Sequence, residues 1–127
     1  MAASATTVNS KTVVFINGDL TVNANITASL ATGGVVSITQ GNVAVDPAVT
    51  KLDGVYLFSG TFNDGGGALA LAGNGSLLQT GSTNGFTFGR TATGTAAENW
   101  TYEPKYLDLF KKILSTASYS WKELPPQ

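Results

Sequence analysis

The chain contains no cysteine and no histidine, and its only arginine is Arg90. These absences exclude much chemistry. Without Cys there is no thiol nucleophile and no disulfide. Without His there is no Ser-His-Asp triad, no imidazole general base and no ordinary zinc site. Charged residues fill only 12% of the 127 positions, with a net charge of −1; about a quarter charged is usual. The basic stripe that phosphate binding requires is missing, which excludes nucleic acid as a partner. No apolar run approaches the roughly 18–20 residues of a membrane-spanning helix, so no membrane insertion is expected. The opening MAASATTVNSK has neither a basic n-region nor an apolar core and does not read as a signal peptide. No motif points to a cofactor or a metal.

What is present is short and repetitive. The length suits one domain with one core. Residues 13–16, 20–22, 35–38, 43–45, 55–58 and 86–88 are β-branched or aromatic runs, each closed by Gly, Asn, Asp or Pro. Gly18, Gly41, Gly60 and Gly81 follow corresponding runs at spacings of 23, 19 and 21. Periods near 20 with short strands and Gly/Asn/Asp corners indicate a solenoid. An antiparallel sandwich uses the same parts, but these corners recur at one period and few are tight Asn-Gly hairpins. The expected fold is all-β: a short right-handed parallel β-helix of about four coils spanning residues 12–94. Val14, Ile16, Leu20, Val22, Val36, Ile38, Val43, Val45, Leu57 and Phe58 are expected inside it.

Residues 95–127 break the pattern and hold both Trp and three of the four Tyr. Pro104 suits a first helical position, with Glu103 beside the positive end of the helix dipole. Tyr106, Leu107, Phe110, Ile113 and Leu114 fall on one helical face, and Asp108 and Lys112 form an i,i+4 pair on the other. Beyond the helix, Ser118 to Trp121 reads as extended. A β-helix leaves bare strand edges at its ends, so this amphipathic helix and aromatic tail are expected to cap the last coil. The sharper alternative is a partner-binding surface built on Trp100, Tyr102, Tyr119 and Trp121, since such side chains dominate binding hot spots.

Three stretches carry a family resemblance. They are V-x-P-x-V-T-x-[LI]-D-G at residues 45–54, N-G-S at residues 74–76, and E-P-x-Y-L with S-x-x-W-x-E towards the end of the chain. Over residues 12–126 the sequence resembles a recurrent C-terminal domain of large surface or secreted proteins of ultrasmall candidate-phyla bacteria. Its short Gly-punctuated coils are also distantly similar to bactofilin filament proteins. The first resemblance implies an extracellular or cell-surface location within a longer parent protein; neither implies an activity.

The carboxylates Asp46, Asp53 and Asp64 sit beside Gly or Pro, which reads as turn formation. A polysaccharide-lyase-like cluster would gather Asp, Arg and Lys on one face of a longer solenoid. Asn63 to Gly67 faintly suggests a calcium loop but lacks the repeat of calcium-binding rolls and the closing Glu of an EF-hand. The functional expectation is therefore a non-catalytic structural module, with no catalytic, cofactor or metal residues. One alternative is a glycan-binding, adhesin-like module, in which Trp100, Tyr102, Tyr56 and Tyr119 stack on sugar rings. Another is a self-assembling filament unit. The expected partners are the rest of a parent protein, a second copy, or a surface glycan.

Overall fold

The computed structural model describes residues 4–81 and 85–114. Its strands are β1 (Ser4–Val8), β2 (Lys11–Ile16), β3 (Leu20–Val22), β4 (Ala24–Ala28), β5 (Gly34–Thr39), β6 (Val43–Val45), β7 (Gly54–Phe58), β8 (Phe62–Asn63), β9 (Leu71–Gln79), β10 (Phe86–Thr87) and β11 (Glu98–Thr101), followed by the helix α1 (Lys105–Leu114). All strand pairings among the described residues are parallel. The chain is a β-solenoid of about four stacked coils with one short C-terminal helix.

Each coil has three faces. The second face stacks β2, β5, β7 and the later half of β9, and the third stacks β3, β6, β8 and β10. These two were legible as paired runs around a glycine. The glycines stack as their spacings require: the Gly60 amide donates to the Gly41 carbonyl at 3.0 Å. A side chain on Gly41 would strike the Gly18 backbone, and one on Gly60 the Gly41 backbone. The first face joins β1 to β4, continues through bridges at residues 51–52, and ends with β11 on the early half of β9. Strands thus lie outside the expected 12–94 span at both ends. Ser4–Val8 begins the first coil, and Glu98–Thr101, expected in the tail, opens a fifth.

Inside the bore, equivalent residues form columns. Val14, Ser37, Tyr56 and Leu77 form one, and Ile16, Thr39, Phe58 and Gln79 another. Leu20, Val43, Phe62 and Phe86 form a third. The core comprises Val22, Val43, Val45, Val49, Leu52, Tyr56, Phe58, Phe62 and Leu71. The buried hydroxyls of Ser37 and Thr39 satisfy each other at 3.1 Å. Val22, Val43, Val45 and Phe58 are interior as expected, and Leu20 packs half-buried against them. Ile16 is half-buried, whereas Val14, on the strand that ends its sheet among the described residues, stays 38% exposed.

Three expectations were wrong in direction. Val36, Ile38 and Leu57 point away from the bore and belong to a second cluster with Val13, Val55, Tyr106, Leu109 and Phe110. The run VVSI is apolar on both faces because both sides of this sheet are covered, the pattern of a parallel sheet packed twice. The covering element is α1. It lies along the flank of the solenoid instead of across the end of the last coil. Glu103 Oε1 accepts from the Lys105 amide at 3.1 Å and so caps its first turn. Tyr106 and Phe110 are buried, with rings stacked 6.3 Å apart, over Gly34, whose missing side chain makes the room. Leu107, expected on the buried face, is 62% exposed. The contact face is Tyr106, Leu109 and Phe110, rotated from the predicted one. The side chains of Ile113, Leu114 and Lys112 lie outside the described residues.

The helix contact has a direct check. Phe110→Ala should lower stability by about 3–5 kcal/mol, the cost of emptying a fully buried aromatic site. Leu107→Ala should change it by less than about 0.5 kcal/mol, as for an exposed side chain. Urea denaturation of both variants measures the difference; equal effects would mean the helix presents another face.

Candidate functional site

The corners of the solenoid hold Asp19, Asp46, Asp53, Asp64 and Arg90, and these spend their charge on the backbone. In a parallel solenoid the strands pair with the coils above and below, but the bends leave amides and carbonyls over. Buried ones must find partners. Asx side chains supply the acceptors. Asp19 Oδ1 accepts from the Asn42 amide at 2.7 Å, and Asn42 Oδ1 from the Thr61 amide at 2.8 Å. Asn25 Oδ1 takes the amides of Thr50 and Lys51. Asp53, almost fully buried, joins three coils: it accepts from the Ala28 amide at 3.1 Å, the Asn74 amide at 2.9 Å and Lys51 Nζ at 3.0 Å. Tyr56 donates to the Asp53 carbonyl at 3.0 Å, and burial raises its phenol well above the ordinary value, which keeps that donor protonated.

The densest polar cluster is Asp64, Arg90 and Glu98. Arg90 is 5% exposed in a chain with few charges. Its guanidinium donates to four backbone carbonyls: Asp64 at 2.7 and 2.9 Å, Val49 at 2.6 Å, Asp46 at 3.1 Å and Leu69 at 3.2 Å. Val49 and Asp46 lie in the bend after β6, Asp64 and Leu69 in the bend after β8, and Arg90 itself in the bend after β10. One side chain therefore fastens three successive bends between the third and first faces. The planar fork suits this task, since it presents five fixed donors at once.

Asp64 completes the corner. Its side chain is fully buried and accepts from the amides of Gly66 at 3.0 Å and Gly89 at 3.0 and 3.1 Å. Its carboxylate lies 4.0 Å from Arg90 Nε, so the guanidinium spends its hydrogen bonds on carbonyls and gives the acid only its field. Burial works to raise the Asp64 carboxyl, but hydrogen bonds from Glu98 and from backbone amides outweigh it and hold the group below its ordinary value. Glu98 moves the other way: the hydrogen bond shared with Asp64 raises it, and desolvation adds to the shift. Burial also lowers the Arg90 guanidinium, against the pull of Asp64, Glu98 and Asp46.

Two acids and a cation in contact resemble a hydrolytic site in composition, but not in access. Asp64 and Arg90 have no open face. Two apolar concavities, one lined by Val8, Val14, Ile16, Leu20, Val22 and Ile26 among others and a smaller one by Phe15, Ile16, Asn17, Ile38 and Gln40, have no acidic or basic side chain in their linings. Asp46 and Asp64 turn the chain locally, Asp46 Oδ1 accepting from the Ala48 amide at 2.8 Å and Asp64 Oδ1 from the Gly66 amide at 3.0 Å, whereas Asp53, also expected as a turn residue, reaches the amides of other coils instead. Asn63 Oδ1 likewise turns onto the Gly65 amide at 2.8 Å. Among the described residues, no group of three or more His, Cys, Asp or Glu is placed to hold a metal ion.

The aromatic candidates among the described residues, Trp100, Tyr102 and Tyr56, differ widely in exposure. Trp100 is half-buried on the last coil, edge-on to Phe62 at 6.3 Å, and packs against the core. Its ring lies over Gly73, where any side chain would collide with it. Tyr102 is 62% exposed, and Tyr56 is in the core. Tyr119 and Trp121 lie outside the described residues. Arg90 is the residue that sequence reasoning passed over. Its signal was its singularity: the lone guanidinium of a charge-poor chain, at a Gly corner.

No protein-family model matches the chain, and neither a curated protein nor a solved structure matches it.

Arg90→Ala strands four carbonyls and the buried Asp64 carboxylate. It should cost about 3–5 kcal/mol, as when one partner of a buried ion pair is removed. Arg90→Lys should recover only part of this in urea denaturation, because an ammonium has three donors and no fork. The acid pair gives stability a two-sided pH dependence. Asp64, with its folded value lowered, contributes stability that is present above its ordinary pKa of 3.8 and lost as pH falls through the folded value. Glu98, with its folded value raised, contributes stability present below its ordinary 4.5 and lost as pH climbs through the raised value. Glu98→Gln should abolish the second slope and keep the first. Denaturation midpoints measured between about pH 3 and 8 test both signs.

Proposed function

We propose that this chain is a non-catalytic structural module, a short β-solenoid segment of a cell-surface or secreted protein. The observation that carries the reading is the fate of its reactive groups. Asp53, Asp64 and Arg90 are buried and fully engaged in joining coils, so they hold the scaffold and present nothing to a substrate. The Thr-, Asn- and Gly-rich, weakly charged surface and the resemblance to surface-protein domains support the extracellular placement. Of the side chains that the glycan-stacking alternative would use, Tyr56 is in the core and Trp100 is half-buried against Phe62, while Tyr102 is exposed.

Assays of the full chain against a broad glycan and peptide panel should show no hydrolysis or elimination. Reproducible turnover that disappears in Asp46→Asn, a change at an exposed corner with a local Asx turn, would overturn the proposal. That variant should retain the wild-type fold by circular dichroism, which separates lost chemistry from lost structure.

A further inference from the structure

Three asparagines precede a glycine: Asn17, Asn74 and Asn84, the last outside the described residues. In an Asn–Gly pair the glycine nitrogen can attack the side-chain carbonyl carbon, because no Cβ on the glycine stands in its way. The reaction needs three things: a side chain free to swing, a glycine amide not held by an acceptor, and a backbone with room to close a five-membered ring. The fold grants these to one pair and denies them to another.

Asn74 and Gly75 lie inside β9. The Asn74 amide donates to Asp53 Oδ1 at 2.9 Å, and its side-chain Nδ2 donates to the same oxygen at 3.3 Å. Gly75 is buried opposite Gly54 of the previous coil, so close that a Cβ on it would strike the Gly54 carbonyl. Side chain and backbone are both fixed there. Asn17 and Gly18 lie in the exposed bend between β2 and β3. Each of those strands ends its sheet, so the bend has a neighbouring coil on one side only. Gly18 sits at φ 135° with nothing within 4 Å of where a Cβ would stand. Among the described residues its amide has no backbone acceptor, whereas the amide of Gly60, its counterpart two coils on, is held by Gly41.

We propose that Asn17 is a self-modifying site, converted without an enzyme to an aspartyl or isoaspartyl residue, and that the stacking of β9 on β7 protects Asn74 from the same change. The Gly18 nitrogen gives its proton to solvent and bonds to Asn17 Cγ. The Cγ–Nδ2 bond breaks, and Nδ2 takes a proton from solvent to leave as ammonia. Water then opens the ring at one of its two carbonyls. Nothing is oxidised or reduced, and water is the sole co-reactant. One product puts a carboxylate two residues from Asp19, whose own Oδ1 holds the Asn42 amide. The other routes the backbone through Cβ and Cγ, which adds one atom to the bend. The second coil holds both flanking strands in register, Ile16 opposite Thr39 and Leu20 opposite Val43, and the Gly18 carbonyl packs against Gly41. The lengthened bend therefore strains the first coil and loosens it locally, leaving the later coils intact.

Incubating the full chain in warm, mildly alkaline buffer and sequencing its peptides by mass spectrometry reads each asparagine separately. Amide-to-acid conversion at Asn17 should run many-fold faster than at Asn74. In urea, where the coils no longer stack, the two rates should converge. An Asn17 that keeps its amide, or converts no faster than Asn74, would overturn the proposal. So would a difference that persists unchanged in urea, since it would then belong to the local sequence and not to the fold. A second measurement follows the consequence. Hydrogen exchange at Leu20–Val22 should be several-fold faster in aged wild-type protein than in equally aged Asn17→Gln, whose longer side chain closes the ring far more slowly, while exchange in β7 stays the same. Equal exchange at Leu20–Val22 in the two proteins would overturn the loosening of the first coil.

Discussion

In-register parallel stacking is the constraint from which the rest follows. Once Val36 sits on Val55 and Val43 on Phe62, every bend also sits on the bend of the coil below. Strand backbones satisfy one another automatically. Bend backbones do not, and side chains supply many of their partners. The side chains that resolve this recur in columns: Asp19 under Asn42 under Thr61 at one corner, Asp53 spanning coils at another, Arg90 at the third. The low charge count follows from the same geometry. Within the solenoid, charges sit mostly at the bends and are sparse on the strand faces, where a repeated like charge about 4.8 Å away would repel its neighbour.

Much of this was legible. The second and third faces are apolar, so their strands and the glycine column between them could be read from period alone. The first face was not read as strands. SATTV, ANITA and ENWT are short, small and polar, and their pairing comes from stacking, not from propensity. The inward direction of Val36, Ile38 and Leu57 failed for a related reason. A run apolar on both sides gives no alternation to choose by, and Tyr56 and Phe58, with Ser37 and Thr39, took the inside. The helix was visible but its position was not: Leu107 and Leu109 are equally apolar as letters, and only the flank they meet distinguishes them.

The candidate site was the least legible part. Asp46, Asp53 and Asp64 were recognisable as corner residues from their Gly and Pro neighbours, yet nothing local reveals that Asp53 and Asp64 reach other coils. Arg90 donates to residues 21 to 44 positions earlier in the chain. Such long-range convergence on carbonyl oxygens leaves no side-chain motif, because the acceptors are backbone and any residue type supplies them.

The bend that Arg90 fastens is also the one that changes length. Between the third face and the first, one residue separates β3 from β4, whereas ten separate β10 from β11. The other two bends stay short through the first three coils. Extra chain can therefore enter here without shifting any strand, because loop length adds little to closure cost and the guanidinium holds the base of the loop from within. Residues 91–96 lie beyond that clasp and are largely exposed. They form a graft site, where a foreign peptide or an inherited insertion would be displayed on a scaffold that does not register its presence.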